Sequence, residues 1–292
     1  MIVVVASIKG TPGVTTTATA LATAWPEDRR ALLVEADPFG GDLAAWFGVA
    51  PSTGLWSLLA AGRRGLKADA VWEHAATLPT GLPVLYGLAS ADQAVANEAA
   101  WPAVAEALGA LEADVVIDVG RLLPHFAGGI RPLLSLAEVF MVLCPPTLAG
   151  IVHLKTSLPS LTAASSAGQL IVHPTGEKGF SSDEIAATLT IEVAPPIPHD
   201  PKGASALSGN AIGWARSKAT LAKWARTTAV ELAATSSDTA TTEDPLSITE
   251  IRNQPLGPPV NDTDHIDGTE HVNGTEHVNG TEPSAAPTWA TR

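Results

Sequence analysis

The class predicted for this 292-residue chain is a doubly wound α/β fold, a mostly parallel sheet with helices on both faces. Two observations predict it. Short β-rich runs alternate with alanine- and leucine-rich helical stretches, and strands separated by helices make a parallel sheet with right-handed crossovers. The first run, IVVVA at residues 2–6, is apolar at every position and mostly β-branched, as in a strand buried on both faces. With 46% hydrophobic and 16% charged residues, the chain can also build a large core.

In order, the elements read as follows. A helix is expected over about 15–23, ending before the Trp25-Pro26 break. Residues 31–34 form the second strand and 83–86 a weaker third, after helical stretches at 42–48 and 54–62. A helix over 91–110 leads into strand 115–117, then strand 139–143, helix 147–158 and strand 169–172. Helix 182–190, a last strand over 193–197 and a closing helix over 212–234 complete the folded part, residues 1–234. The composition then changes. Residues 235–292 are rich in Ser, Thr, Asp, Glu, Pro and Gly, which cannot repay the entropy of ordering, so a disordered acidic tail is expected.

The net charge of −13 belongs largely to that tail, which holds ten acidic and two basic residues. Three six-residue repeats lie in it, HIDGTE at 265–270 and HVNGTE at 271–276 and 277–282. They read as a tail expanded by repetition; metal binding through His265, His271 and His277, or a docking tag, is the alternative. The lone Cys144 excludes an intramolecular disulfide and fits a reducing compartment. The opening apolar run is too short for a signal peptide and no stretch suits a bilayer span, so a soluble cytoplasmic protein is expected.

The chemistry concentrates between the first strand and its helix. Lys9-Gly10-Thr11-Pro12-Gly13-Val14-Thr15-Thr16 joins a strand to a helix N-terminus through glycines. Glycines let backbone N–H groups approach an anion, and the helix end adds partial positive charge. A hydroxyl at Thr15 or Thr16 stands where such loops hold Mg²⁺.

This segment resembles the deviant phosphate loop K-G-G-x-G-K-T-T of the ParA/MinD ATPases. Lys9 matches the lysine that reaches phosphates across a nucleotide-sandwich dimer, and Gly10, Gly13, Thr15 and Thr16 also match. Thr11 replaces a glycine, and Val14 replaces the lysine along the β- and γ-phosphates. Residues 33–43 resemble the first switch, D-x-D-P-Q-G-N, with Glu35 where Asp is usual, Asp37 at the acidic position near Mg²⁺ and the attacking water, and Asp42 just beyond the usual Asn. Residues 114–120 resemble the second switch, D-x-x-I-I-D-x-P-P; Asp118 would hold Mg²⁺ through water. Gly120 and Arg121 replace its two prolines. Ile197-Pro198-His199-Asp200 resembles the loop near the adenine, and His173 stands where an asparagine often reads the base. The resemblance spans residues 1 to about 232.

What the resemblance implies is a P-loop NTPase-like fold that binds ATP or ADP with Mg²⁺. Lys9 and Asp37 would be catalytic. Gly10, Thr11, Gly13, Val14, Thr15, Thr16, Pro198 and Asp200 would bind the nucleotide, and Thr15, Asp37 and Asp118 the metal. Losing the loop lysine removes a charge-assisted contact and would weaken ATP binding about ten- to 150-fold. Two functions stay open: a homodimerising switch that positions or recruits cargo with slow hydrolysis, and a pseudo-ATPase scaffold acting through protein contacts. An amidoligase-type enzyme on the same fold ranks below both. A basic face on the closing helix, Arg216, Lys218, Lys223 and Arg226, would touch DNA without sequence preference or simply be solvated.

Overall fold

The computed structural model describes residues 1–9, 12–122, 129–165, 168–176, 178–209 and 212–239, with side chains as far as Thr235. Gly10 and Thr11 of the phosphate loop, and the repeats of the tail, lie outside the described residues. Seven strands, β1 (Ile2–Ser7), β2 (Ala31–Glu35), β3 (Ala76–Thr77), β4 (Pro83–Leu85), β5 (Asp114–Arg121), β6 (Val139–Cys144) and β7 (Gln169–Pro174), form one sheet in the order β3-β4-β2-β5-β1-β6-β7. Every pairing is parallel except that of β3 with β4, an antiparallel edge. The predicted class is the observed one.

The helices are α1 (Val14–Thr23), α2 (Leu43–Trp46), α3 (Leu55–Gly62), α4 (Val71–His74), α5 (Ala91–Ala96), α6 (Trp101–Gly109), α7 (Arg131–Leu134), α8 (Leu148–Ala164), α9 (Ser182–Leu189), α10 (Pro201–Gly209) and α11 (Thr220–Thr239). They divide between the faces as strand alternation requires. Val3 and Val5 of β1, with Leu33, Val116 and Met141, face a core completed by α1, α10 and α11. Val4 and Ala6, with Val34, Ile117 and Phe140, face the core completed by α3 to α9. Each fully buried valine or leucine contributes roughly 1.5–3 kcal/mol, so the all-apolar β1 anchors both layers.

Three expectations need correction. Residues 193–197 make no strand, only single bridges from Val193 to Val172 and from Ile197 to Thr175. Pro195, Pro196 and Pro198 lack the N–H that a ladder needs. The closing helix starts at Thr220, not at 212: Gly213 is left-handed (φ 71°) and Trp214–Arg216 is a separate 3₁₀ turn. There Trp214 is buried and donates Nε1–H to the Gly203 carbonyl at 2.8 Å, rather than extending the face of α11. The helix over 91–110 is two helices around a 3₁₀ turn at Glu98–Ala100, because Pro102 can sit only in a first turn.

Asp114, at the start of β5, ties down the sheet end remote from the phosphate loop. It accepts from the Met1 ammonium at 2.9 Å, from Trp25 Nε1 at 2.8 Å and from both arms of Arg29. Burial alone would raise its pKa, but these donors outweigh that and hold it below the usual range.

Candidate functional site

The C-terminal ends of β1, β2 and β5 converge on the start of α1. Gly13, the N-cap, is left-handed (φ 86°), which glycine adopts without strain, and no side chain caps the helix. The first N–H groups of α1 are thus left to whatever occupies the cleft in front of them. That cleft, ≈ 230 Å³, is lined by Ser7, Gly13, Val14, Thr15, Thr16, Asp37, Asp42, Trp46, Gly120 and Arg121. A second cleft of ≈ 260 Å³ shares Gly13 and Thr16 with it and runs to Thr175, Pro198 and Asp200. The loop therefore stands between two recesses, as a bound base and polyphosphate would require.

Val14 borders the first cleft, but its side chain is 6% exposed and packs into the core with Val3 and Val5. The position that would carry the phosphate lysine has become part of the hydrophobic interior.

Beneath Thr15 lies Asp118, which is fully buried. Burial is the main cause that pushes its pKa up to about 7; the Thr15 hydroxyl and the Gly120 N–H pull the other way. Its Oδ1 accepts from Gly120 N at 2.9 Å, while Oδ2 has no hydrogen bond of good geometry. The Ser7 hydroxyl, 1% exposed and lining the cleft, also has no partner. A carboxylate beside a threonine hydroxyl is a hard oxygen set of the kind Mg²⁺ takes, together with water and phosphate oxygens. These residues fit the metal and nucleotide; what the cradle lacks is the lysine.

Asp37 faces the same cleft. Its pKa is raised by burial, against a bond from the Phe39 N–H to Oδ1 at 2.8 Å. Its carboxylate lies so close to Gly120 that a β-carbon there would collide with it. Glu35 stands apart from this chemistry. Its Oε1 accepts from Asp42 N at 2.6 Å and Leu43 N at 2.8 Å, and its Oε2 from Gly87 N at 2.8 Å. The longer side chain has become a strut that fixes the loop after β2, and burial raises its pKa despite those three donors.

The remaining expected residues divide. Pro198 and Asp200 line the second cleft, but the Asp200 carboxylate is engaged. It accepts from Gly203 N at 2.8 Å, Thr220 Oγ1 at 3.0 Å and Leu221 N at 3.1 Å, joining α10 to α11. Lys9 lies outside the residues lining either cleft; its Nζ donates to His153 Nε2 on α8 at 2.7 Å. His173 is buried against the edge of Trp224, and burial brings its pKa down to about 4. Of the basic face, Arg216 pairs with Glu27, and Arg226 donates to the Ala215 and Ser217 carbonyls, which leaves Lys218 and Lys223. Sequence reasoning missed Ser7 and gave no role to Arg121. Serine ending a buried strand just before a glycine loop was the available signal for the first.

No family model matches the sequence, and no curated protein does. Solved structures match well. A ParA family ATPase from Chlorobium tepidum TLS superposes with a TM-score of 0.66 at 19% identity, covering 78% of this chain and 98% of that one. The septum site-determining protein MinD from Pyrococcus horikoshii OT3, complexed with Mg-ADP, gives 0.62 at 18% identity over 80% and 96%. Cobyrinic acid a,c-diamide synthase from Mycobacterium smegmatis, with bound ADP and magnesium, gives 0.54 at 22% identity over 82% and 97%. At these identities the likeness establishes the fold, which is that of the ParA/MinD-type P-loop ATPases.

Proposed function

We propose that this chain is a ParA/MinD-like switch. It binds Mg·ATP at the start of α1, pairs with a second copy while the nucleotide is bound, positions or recruits a cellular cargo in the cytoplasm, and hydrolyses slowly. The observation that carries this reading is the buried Asp118 with its open Oδ2, beside Thr15 and the unpartnered Ser7 hydroxyl, under an uncapped helix N-terminus. Two of the solved structures with this fold are named as complexes with ADP and magnesium.

In this reading each side chain has a separate task. The α1 N–H groups and Gly13 take phosphate oxygens, at no cost in side-chain ordering. Thr15 and Asp118 hold the magnesium ion, which when bound offsets the charge of the phosphates. Pro198 and the backbone around Thr175 flank the base. Asp37 orients the water that attacks, its carboxylate fixed by the Phe39 N–H on one side and the close backbone of Gly120 on the other. Lys9 reaches the partner copy's nucleotide once it leaves His153. Without a lysine at position 14, hydrolysis is slow, because one preorganised donor is worth about 10²–10³ in rate.

A pseudo-ATPase scaffold is the second reading, and the packing of Val14 into the core favours it. Among the described residues no helix is long and apolar enough to cross a membrane, and Lys218 just before α11 with Lys223 on it give little support to DNA as partner. Calorimetric titration of the full chain with Mg·ATP and Mg·ADP, alongside Val14→Lys, separates the readings. Micromolar binding by the natural chain supports the switch. Binding only after Val14→Lys supports the scaffold, and binding by neither sinks the site.

A further inference from the structure

The geometry points to Arg121 as the cation that stands in for the missing loop lysine, reaching the distal phosphates of a nucleotide in the cleft. The inference rests on the nucleotide-binding reading and names the residue that makes it electrostatically workable. The cleft carries Asp37 and Asp42, with Asp118 below, so a polyphosphate would meet a strongly acidic surface. Arg121 is the single Lys or Arg among its lining residues. It is exposed, and among the described residues its side chain has no ion pair or hydrogen bond. Lys9, the other cation near the loop, is held by His153.

The backbone explains how an arginine arrives there. β5 pairs Asp118 with Val5 but Arg121 with Ser7, so the register slips at Val119 and Gly120. Gly120 takes up the slip in the left-handed region, φ 58°. Bulges of this kind turn a side chain toward a new face and recur beside active sites. Beyond the bulge the ladder resumes, with Leu122 N bonded to the Ser7 carbonyl at 2.8 Å. Arg121 is thereby brought alongside Ser7, onto the cleft that Thr15 and Thr16 also line. A pair of prolines at 120 and 121 would remove the N–H of Gly120 that Asp118 uses and would put no charge here. The guanidinium fork suits a phosphate bidentately, and its long stem lets the charge move within the cleft.

The test is titration of the full chain and its variants with Mg·ATP and Mg·ADP at fixed ionic strength. Arg121→Gln is expected to weaken Mg·ATP binding about ten- to 150-fold, the range for one charge-assisted contact. Arg121→Lys should fall between, and Val14→Lys added to Arg121→Gln should recover the affinity, because either position can supply the charge. Equal affinity of wild type and Arg121→Gln overturns this inference and leaves the nucleotide reading standing. Binding by Val14→Lys but not by wild type also overturns it, since Arg121 is then no substitute. Binding by none of the five proteins overturns both.

Discussion

Asp118→Asn should make the metal-free protein more stable at high pH, and the size of the gain follows from the burial of one carboxylate. The folded-state pKa of about 7 lies above the ordinary 3.8 because burial disfavours the charged form. For an acid whose folded pKa is raised, the folded state binds more protons between the two values, so stability falls as pH rises through that window. The full effect of a shift from 3.8 to about 7 is about 4 kcal/mol, and about half of it develops between pH 5 and 7. Asparagine has the same shape and never ionises. Its oxygen keeps the Gly120 N–H and its amide finds the Thr15 hydroxyl; about 1–2 kcal/mol is lost through the poorer pairing. Asp118→Asn should therefore exceed wild type by about 2–3 kcal/mol at pH 8, and the two curves should meet near pH 5. Urea denaturation at pH 5, 6, 7 and 8 in the presence of a chelator reads this difference, and the rest of the acidic chain cancels in it. A gap that does not change with pH would refute the reasoning, because Asp118 would then be ionised at no cost.

Three further substitutions probe the surrounding frame. Gly120→Ala must place a β-carbon against the Asp37 carboxylate in a left-handed conformation, and a loss of about 2 kcal/mol or more is expected in urea melts; an unchanged midpoint would contradict the close approach. Glu35→Gln can accept from only part of the Asp42, Leu43 and Gly87 set but also removes the buried charge that raises the pKa, so a net loss of only about 1 kcal/mol is expected at pH 7, and a more stable variant would mean that relief of the charge exceeds the lost bonds. Lys9→Ala should leave the melting temperature unchanged, since it gives up one exposed contact to His153, yet abolish ATP-dependent dimerisation in sedimentation. Dimers that persist would remove Lys9 from the interface.

Legibility in the sequence follows the physics of each element. Strands buried on both faces announce themselves by composition, so β1, β2, β6 and β7 were found within two residues of their observed limits, whereas β5, expected over 115–117, runs on to Arg121. The edge strand β3 was not found: two residues, Ala76 and Thr77, are too few to show any period. Residues 193–197 misled because their apolar content suits a strand while three prolines forbid its ladder. In the site, Gly13, Thr15, Asp37 and Asp118 could be placed because spacing along strand ends is preserved by the fold. Glu35 was placed only as standing where Asp is usual, and its carboxylate accepts from three backbone donors instead. Arg121 carried no signal, since its position depends on a bulge that sequence periodicity cannot reveal.

The pattern of satisfied and unsatisfied acids argues for a ligand rather than for a bare scaffold. Wherever an acid in this protein has structural work, its oxygens are answered: three donors for Glu35, three for Asp200, and the Met1 ammonium, Trp25 and Arg29 for Asp114. Asp118 departs from this rule: beyond the poorly aligned Thr15 hydroxyl its Oδ2 has no donor among the described residues, and the Ser7 hydroxyl lining the cleft departs with it. Thr19, Thr23, Trp101 and His173 also carry unanswered polar atoms, but those are neutral groups away from the phosphate cleft. An open buried carboxylate costs far more than an open hydroxyl, because the charge must be desolvated as well. A scaffold has nothing to gain from that cost, and an asparagine at 118 would relieve it. A nucleotide site recovers the cost on binding, when hard cations and phosphate groups meet those oxygens, so binding should stabilise the fold by an amount that grows with the logarithm of ligand concentration above the Kd. The Asp118→Asn variant should lose that stabilisation while it gains in the empty state, and only a ligand-binding site links the two changes.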